Sequence, residues 1–280
     1  MLIVNLLVSV GKGKFKTAHP GQVALDGGKD LPPFTTNKRV CVKQLYRERK
    51  NNGGIARLDG RYELSALITE CNCIRWASIL LDITYQFITH EIERRGWPKF
   101  PIPDLRYTRL MLAIVQDGSH KEKAYLVEEW IGNDKGKGEP QFRKYINNRL
   151  PTSCVPDEAP TSAHDIADFL VFSQHSQWQK TKKGAFVSDY QGGGGLLTDP
   201  QITSNPYVPT SMTSGHLTDI LNYSEFGKSF GGGNLEAAFN DFRTDHVCNQ
   251  YCRFFGLMLD NPLAAQSPSA EPESGLIDVE

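Results

Sequence analysis

Apolar and polar positions along the chain divide it into strand-like runs, two helix-like stretches and long polar connections. Leu2 to Val10 is apolar and reads as a buried strand opening the domain. A Gly- and Lys-punctuated turn at Gly11-Lys12-Gly13-Lys14-Phe15 follows, and Arg39-Val40-Cys41-Val42-Lys43 returns as a second strand after a Gly27-Gly28, Pro32-Pro33 loop. From Glu63 to Arg95, Leu64, Leu67, Cys71, Ile74 and Leu81 recur at three- to four-residue spacing. This predicts a long helix ended by Gly96-Trp97-Pro98, and its length invites a break near Ser78 or Thr84. Leu110–Gln116 and Ala124–Ile131 predict a hairpin turned at Asp117 to His120, and Gly132 to Pro140 a flexible connection. A helix over Ser162–Trp178, capped by Ser162-x-x-Asp165, and a strand over Ala185–Tyr190 come next. A glycine tract, a long Pro/Ser/Thr loop and a pair of short helices complete the globular part. Ala264 to Glu280, poor in apolar residues, reads as a disordered tail.

Composition narrows the classes of function. The 280 residues carry 31 basic and 32 acidic side chains, so no global field attracts a polyanion and nucleic acid is not an expected partner. Leu2 to Val10 lacks the flanks of a targeting signal and is too short to cross a bilayer, so no membrane is expected. Six cysteines in a chain of this length make no disulfide framework. That favours a reducing compartment and an intracellular, cytoplasmic protein.

Four segments carry candidate chemistry. Gly11, Gly13 and Lys16 lie in a loop whose N–H groups and ammonium charge suit phosphate, although a Lys-rich hairpin has the same composition and no helix-opening Gly-Lys-Ser/Thr is present. Lys43 alternates with Val40 and Val42, which turns it toward a cleft where it can meet nucleotide phosphates; Glu70 on the following helix is the expected carboxylate partner, with Glu63 the competitor. Asp189 and Gln191 share one face at a strand end before the glycine tract and suit Mg2+, while Asp199 is placed to take a hydroxyl proton; turn chemistry at Asp199-Pro200 is the competing reading. His246-x-Cys248-x3-Cys252 has zinc-ligand spacing, with both sulfurs expected on one helix face. His175 is the chosen fourth ligand over His164 and His216, and full coordination implies a structural site.

Asp189-Tyr190-Gln191-Gly192, Leu197-Thr198-Asp199-Pro200-Gln201-Ile202, Phe230-Gly231-x-Gly233-Asn234-Leu235 and His246-x-Cys248-Asn249-x-x-Cys252 together resemble the successive C-lobe motifs of the alpha-kinase family of atypical protein kinases. Val127-Glu128-Glu129-Trp130-Ile131, Phe142 to Asn148, Gly11 to Ala18 and Val40 to Lys43 are similar to its upstream segments. The resemblance covers most of residues 1–258. It implies an α+β, two-lobed, atypical protein-kinase-like fold: an N-lobe of sheet and long helix over 1–131, a zinc-stabilised C-lobe over 132–258, and a tail over 259–280. It further implies Lys43 on the phosphates of ATP, Glu128 near the adenine, Asp189 and Gln191 on Mg2+, Asp199 as the catalytic aspartate, and Asn234 with nearby glycines lining the cleft. Zinc would be held by His175, His246, Cys248 and Cys252. Glu236 stands where the family's loop has another glycine, Gly193-Gly194-Gly195 is richer in glycine than the family pattern, and His175 follows Phe-Ser-Gln rather than Phe-Ser. The function implied is a serine/threonine-protein kinase acting on a protein substrate; a pseudokinase or a zinc-stabilised interaction module without catalysis is the alternative.

Overall fold

The computed structural model describes residues 2–13, 15–23, 38–48, 54–58, 60–116, 122–132, 141–207 and 229–259. The expected turn at 117–120, most of the connection at 132–140, the Pro/Ser/Thr loop, His216 and the tail lie outside them.

Two sheets flank a long helix. In the first sheet the strands run in the order β1 (Leu2–Val4), β3 (Lys16–Val23), β4 (Lys38–Glu48), β8 (Glu122–Glu129), β7 (Leu110–Gln116), with β2 (Gly11–Lys12) on β3 and β5 (Ile55–Arg57) on β4. All these pairings are antiparallel. The second sheet runs β6 (Arg106–Tyr107), β11 (Leu196–Ser204), β10 (Ala185–Gly193), β9 (Arg143–Ile146), with β6 parallel to β11. Residues 106–107, in the first half of the chain, therefore belong to the sheet built mainly by the second half.

Between the sheets lies α1 (Gly60–Arg95), which is long and apolar enough to cross a membrane but here packs Leu67, Ala77 and Leu81 into one core with Leu126, Phe169, Phe172, Ile202 and Tyr251. Each large apolar side chain buried this way contributes roughly 1.5–3 kcal/mol. The expected break in α1 is absent. Ser78 and Thr84 turn their hydroxyls back to the carbonyls of Ile74 and Leu80 (2.9 and 3.1 Å), so both polar groups are satisfied within the helix. The helix α2 (Thr161–Lys180) covers the second sheet; Pro160 occupies its N-cap with no side-chain capping bond, so the expected Ser162–Asp165 cap does not form. Three short helices follow: α3 (Glu236–Asn240), α4 (Phe242–Asp245) and α5 (Gln250–Phe254), preceded by a single 3-10 turn at Gly231–Gly233.

The opening segment differs from its expectation. Leu2–Val4 forms a short edge strand, Asn5 and Val10 add single N–H bonds to the Pro20 and Ala18 carbonyls, and Leu6, Leu7, Val8 and Val10 are exposed. The strand beside it, β3, buries Thr17, His19, Gly21 and Val23 on the sheet face that also carries Val40 and Val42. His19 is kept there by contacts of 2.8 Å from its two ring nitrogens to the Val8 carbonyl and the Thr17 hydroxyl. A strand whose buried face is mostly polar or glycine, with Pro20 in its middle, carries no apolar alternation to read.

Candidate active site

Strand alternation sorts β4 into two faces. Val40 and Val42 pack with Val23, Tyr125 and Val127 on the outer side of the first sheet. Arg39, Cys41 and Lys43 therefore point the other way, into a cavity of about 730 Å³ whose wall also includes Lys16, Glu128, Gln191, Thr198 and Asp199. Gly11, Gly13, Trp130 and Phe142 border the same cavity.

Lys43 does not pair with Glu70. Its Nζ lies 2.7 Å from Glu128 Oε1 and donates to Thr198 Oγ1 at 3.0 Å. Cys41 stands opposite Glu128 in the β4–β8 register, which makes Glu128 the diagonal neighbour of Lys43 on the cavity face. Burial works against the ammonium, but Glu128 and Asp199 outweigh it and the Lys43 pKa is raised. Glu70 instead holds Lys16 (2.8 Å), and Lys16 also contacts the Asp199 carboxylate. Glu63 is taken by Arg57 in a bidentate pair (3.0 and 2.8 Å) and accepts the Ala124 N–H at 3.2 Å, so it too is unavailable to Lys43.

The hairpin of β10 and β11 supplies the other groups. Register shifts between Val187 and Asp189, and between Asp189 and Gln191, bend β10 where its polar residues emerge. Gly192 allows this closeness: with φ +159°, any Cβ there would run into the Leu196 carbonyl. The glycine tract is thus a hairpin turn, not a linker. Asp199 has φ +55°, a left-handed conformation in which few non-glycine residues sit. Its Oδ2 accepts from Gln191 Nε2 at 3.1 Å. Burial would raise the Asp199 pKa, but Lys43 and Lys16 overcome it and hold it down at about 2. Asp189 shifts the opposite way: burial raises it, against the pull of Lys144, which donates to Oδ2 at 2.9 Å. Asp189 Oδ1 is buried without a hydrogen-bond partner among the described residues, an oxygen donor of the kind Mg2+ takes, but Asp189 is not part of the cavity wall that Gln191 and Asp199 share.

Asn234 does not line this cavity. It accepts from the Ser204 N–H (2.9 Å) and donates to the Ser204 hydroxyl (2.8 Å), which ties the Gly231–Gly233 turn to the end of β11. Gly233 packs so closely on the Gln201 side chain that any Cβ would overlap it. Sequence reading also missed Thr198, Lys144, Arg39 and Trp130. Thr198 lies inside the Leu-Thr-Asp-Pro-Gln motif, so adjacency to Asp199 was the available signal; the cation–π stack of Arg39 on Trp130 (3.7 Å) had none.

In the second sheet's half of the molecule His175, His246, Cys248 and Cys252 converge, each offering one donor atom within 4.8 Å of the others. His164 is not among them. Cys248 Sγ is 3.7 Å from His175 Nδ1 and Cys252 Sγ is 3.6 Å from His246 Nε2. Zinc–sulfur and zinc–nitrogen bonds at a tetrahedral angle put those atoms roughly 3.6 Å apart, so the donor set fits zinc. Burial keeps both imidazoles neutral, as ligands must be, pushing His175 down to about 4 and His246 to about 3. The two cysteines do not share a helix face. Cys248 precedes α5, and Asn249 caps that helix by accepting from the Tyr251 and Cys252 N–H groups (3.1 and 3.3 Å). The Asn249 amide also donates to the Asp168 carbonyl (2.7 Å), which locks α5 against α2.

Comparison with known proteins agrees with this geometry. The structure is similar to the alpha-kinase domain of myosin heavy chain kinase A in complex with AMP (16% identity, TM-score 0.54, covering 92% of this chain and 90% of that one). It is similar also to the same domain with AMP-PNP (17%, 0.53, 93% and 89%) and to its apoenzyme (16%, 0.52, 92% and 89%). At such identities these likenesses show the fold. No curated protein sequence matches the chain. The Alpha-kinase family profile, however, matches residues 11–252, and on that span the chain belongs to the alpha-kinase family of protein kinases.

Proposed function

We propose that the chain is a serine/threonine-protein kinase that moves the γ-phosphoryl group of ATP to a hydroxyl of a protein substrate, with its catalytic domain divided into lobes near residue 131. The observation that carries this reading is the cavity in which Lys43, Glu128, Thr198, Asp199, Gln191 and Lys16 form one contiguous polar wall and which Trp130 and Phe142 also border. A bound nucleotide would lay its phosphates along Lys43 and Lys16 and its base toward Trp130. Mg2+, held by Asp189 and Gln191, would supply charge neutralisation for the phosphoryl group. An aspartate held near 2 is a weak proton acceptor, so Asp199 contributes mainly by orienting the incoming hydroxyl. Zinc at His175, His246, Cys248 and Cys252 would be structural, since four protein donors leave no open position. Six unpaired thiols, one of them exposed, suit a reducing intracellular compartment.

A second reading, a nucleotide-binding pseudokinase, has a specific observation in its favour: both acidic groups already carry a lysine, Asp199 with Lys16 and Asp189 with Lys144. Incubation with labelled ATP, Mg2+ and a generic basic protein separates the two. Transfer to serine or threonine that disappears in Asp199→Ala is the expected result; nucleotide binding without transfer in the intact chain would leave the pseudokinase.

A further inference from the structure

Thr198 joins the two halves of the cleft through a single hydroxyl. It is buried, it sits on β11 one residue before Asp199, and its register partner across the hairpin is Gln191. Its Oγ1 is 3.0 Å from Lys43 Nζ and 2.5 Å from Glu128 Oε2, while Lys43 Nζ is 2.7 Å from Glu128 Oε1. The three side chains thus close a ring. Chemistry fixes the direction of each bond: an ammonium only donates and a carboxylate only accepts, so the hydroxyl must accept from Lys43 and give its proton to Glu128. Both bonds are charge-assisted and buried. On the far side, the Leu197 carbonyl accepts from the Thr108 N–H (2.8 Å), and the Thr108 hydroxyl reaches Glu128 Oε2 at 3.4 Å, so the backbone bearing Thr198 is held to the same carboxylate.

From this we infer that Thr198 is a positioning residue that fixes the Lys43 ammonium of the first sheet relative to the Asp199 carboxylate of the second. The inference rests on the reading of Lys43 and Asp199 as working groups of a kinase cleft. Leu or Ile at position 198 would offer neither bond, and the left-handed turn at Asp199 lets a buried threonine be followed directly by a residue that faces the cavity. Without the hydroxyl, Lys43 keeps Glu128 but loses the contact that ties it to β11, and Glu128 loses its nearest uncharged donor.

The test compares Thr198→Val, nearly isosteric but unable to hydrogen-bond, with Thr198→Ser, which keeps the hydroxyl. Two readouts are taken on the full chain. The first is the rate at which N-acetoxysuccinimide acetylates Lys43, followed by peptide mapping, which needs neither nucleotide nor activity. The second is the split of kcat against KM for ATP. Loss of two charge-assisted bonds is expected to speed Lys43 acetylation by about tenfold or more, and to lower kcat by a similar factor with KM changed far less. Serine should recover most of both effects. Thr198→Ala repeats the measurement should valine lower the melting temperature. Equal acetylation rates in the wild-type, valine and alanine chains would overturn the inference, as would a serine variant as impaired as valine, which would assign the effect to packing. A wild-type chain that transfers no phosphate would count against the proposed function alone, because the acetylation comparison decides the role of Thr198 in either case.

Discussion

The cleft and the histidine–cysteine cluster solve opposite electrostatic problems. In and around the cleft, Lys16, Lys43, Asp189, Asp199, Glu70 and Glu128 are buried or half-buried as charges, each within reach of an opposite one, with the exposed Lys144 serving Asp189. In the cluster, burial removes charge instead: both histidines are pushed far below the ordinary imidazole range and no ion pair serves them. Paired charges can exchange partners when a charged ligand arrives, since a phosphate can replace a carboxylate on Lys16 at little cost. In the cluster the donors meet mainly one another, Cys248 with His175 and Cys252 with His246, an arrangement that suits a metal ion and not a charged ligand. The first region is built to be rearranged and the second to stay put.

The largest effect that tests this contrast is removal of the metal. Zinc bound by four protein donors has a binding free energy that counts as folding free energy, on the order of 10 kcal/mol in small zinc domains. Cys252→Ser should therefore lower melting temperature and solubility, with activity falling as a consequence. Metal analysis of the dialysed protein should find about one zinc per chain, as a single four-ligand site requires. A folded, active chain without zinc would erase the contrast, and full zinc retention by His175→Ala would remove only that ligand.

Next in size is Lys43. Lys43→Ala should abolish phosphate transfer, a loss of about a thousandfold or more for a group acting on the transferred phosphate. It should also destabilise the protein, because Glu128 is almost fully buried and would keep only the hydroxyls of Thr198 and Thr108 against its charge, at a cost of about 3 kcal/mol. Adding Glu128→Gln should return most of the stability and none of the activity. Recovery of activity in the double variant would mean that Lys43 serves the fold and not the nucleotide.

These pairings show where the sequence was legible. Asp189, Gln191 and Asp199 could be picked out because strand-end spacing is local, and His246, Cys248 and Cys252 because metal-ligand spacing is local as well. The alpha-kinase resemblance added the fold that local spacing lacks. The partner of Lys43 was misjudged because it depends on the register of β4 against β8, where Cys41 meets Glu128, across 87 residues of chain. The helix carboxylates that looked available were claimed by other groups: Glu63 by the nearby Arg57 and the distant Ala124 amide, Glu70 by Lys16. The β3 strand stayed hidden because His19 and Thr17 bury through hydrogen bonds, which leave no trace in a hydropathy pattern.

Glu63 gives a third, smaller test, because it is a buried charge outside both regions. Its carboxylate is fully buried and takes Arg57 and the Ala124 N–H, which staples β5 and β8 to the start of α1. Glu63→Ala should cost about 3 kcal/mol, measured by urea unfolding, since it removes the charged partner of a half-buried guanidinium and the acceptor of the Ala124 N–H. Unlike Lys43→Ala, it should leave the KM for ATP nearly unchanged in the fraction that remains folded. A large rise in KM would show that this pair belongs to the cleft after all.

The smallest expected effect is the pH dependence carried by Asp199. Its native pKa, about 2, lies below that of an aspartate in an unfolded chain, near 3.9. The native state therefore binds fewer protons than the unfolded state in this range. The stabilisation is present in full above about pH 4 and is lost as pH falls through about 2. Because the carboxylate is partly exposed, solvent screening reduces the contribution to on the order of 1–2 kcal/mol. Wild type and Asp199→Asn should differ in unfolding free energy by that amount at pH 6 and converge as the pH approaches 2. At 1 M salt the gap at pH 6 should narrow, since the Asp199–Lys16 pair is more exposed than the Lys43–Glu128 pair. A gap that persisted unchanged at pH 2 would mean that Asp199 stabilises the hairpin through its shape, with Gln191 as its main partner, and that the charge pairing ascribed to the cleft does not extend to its central acid.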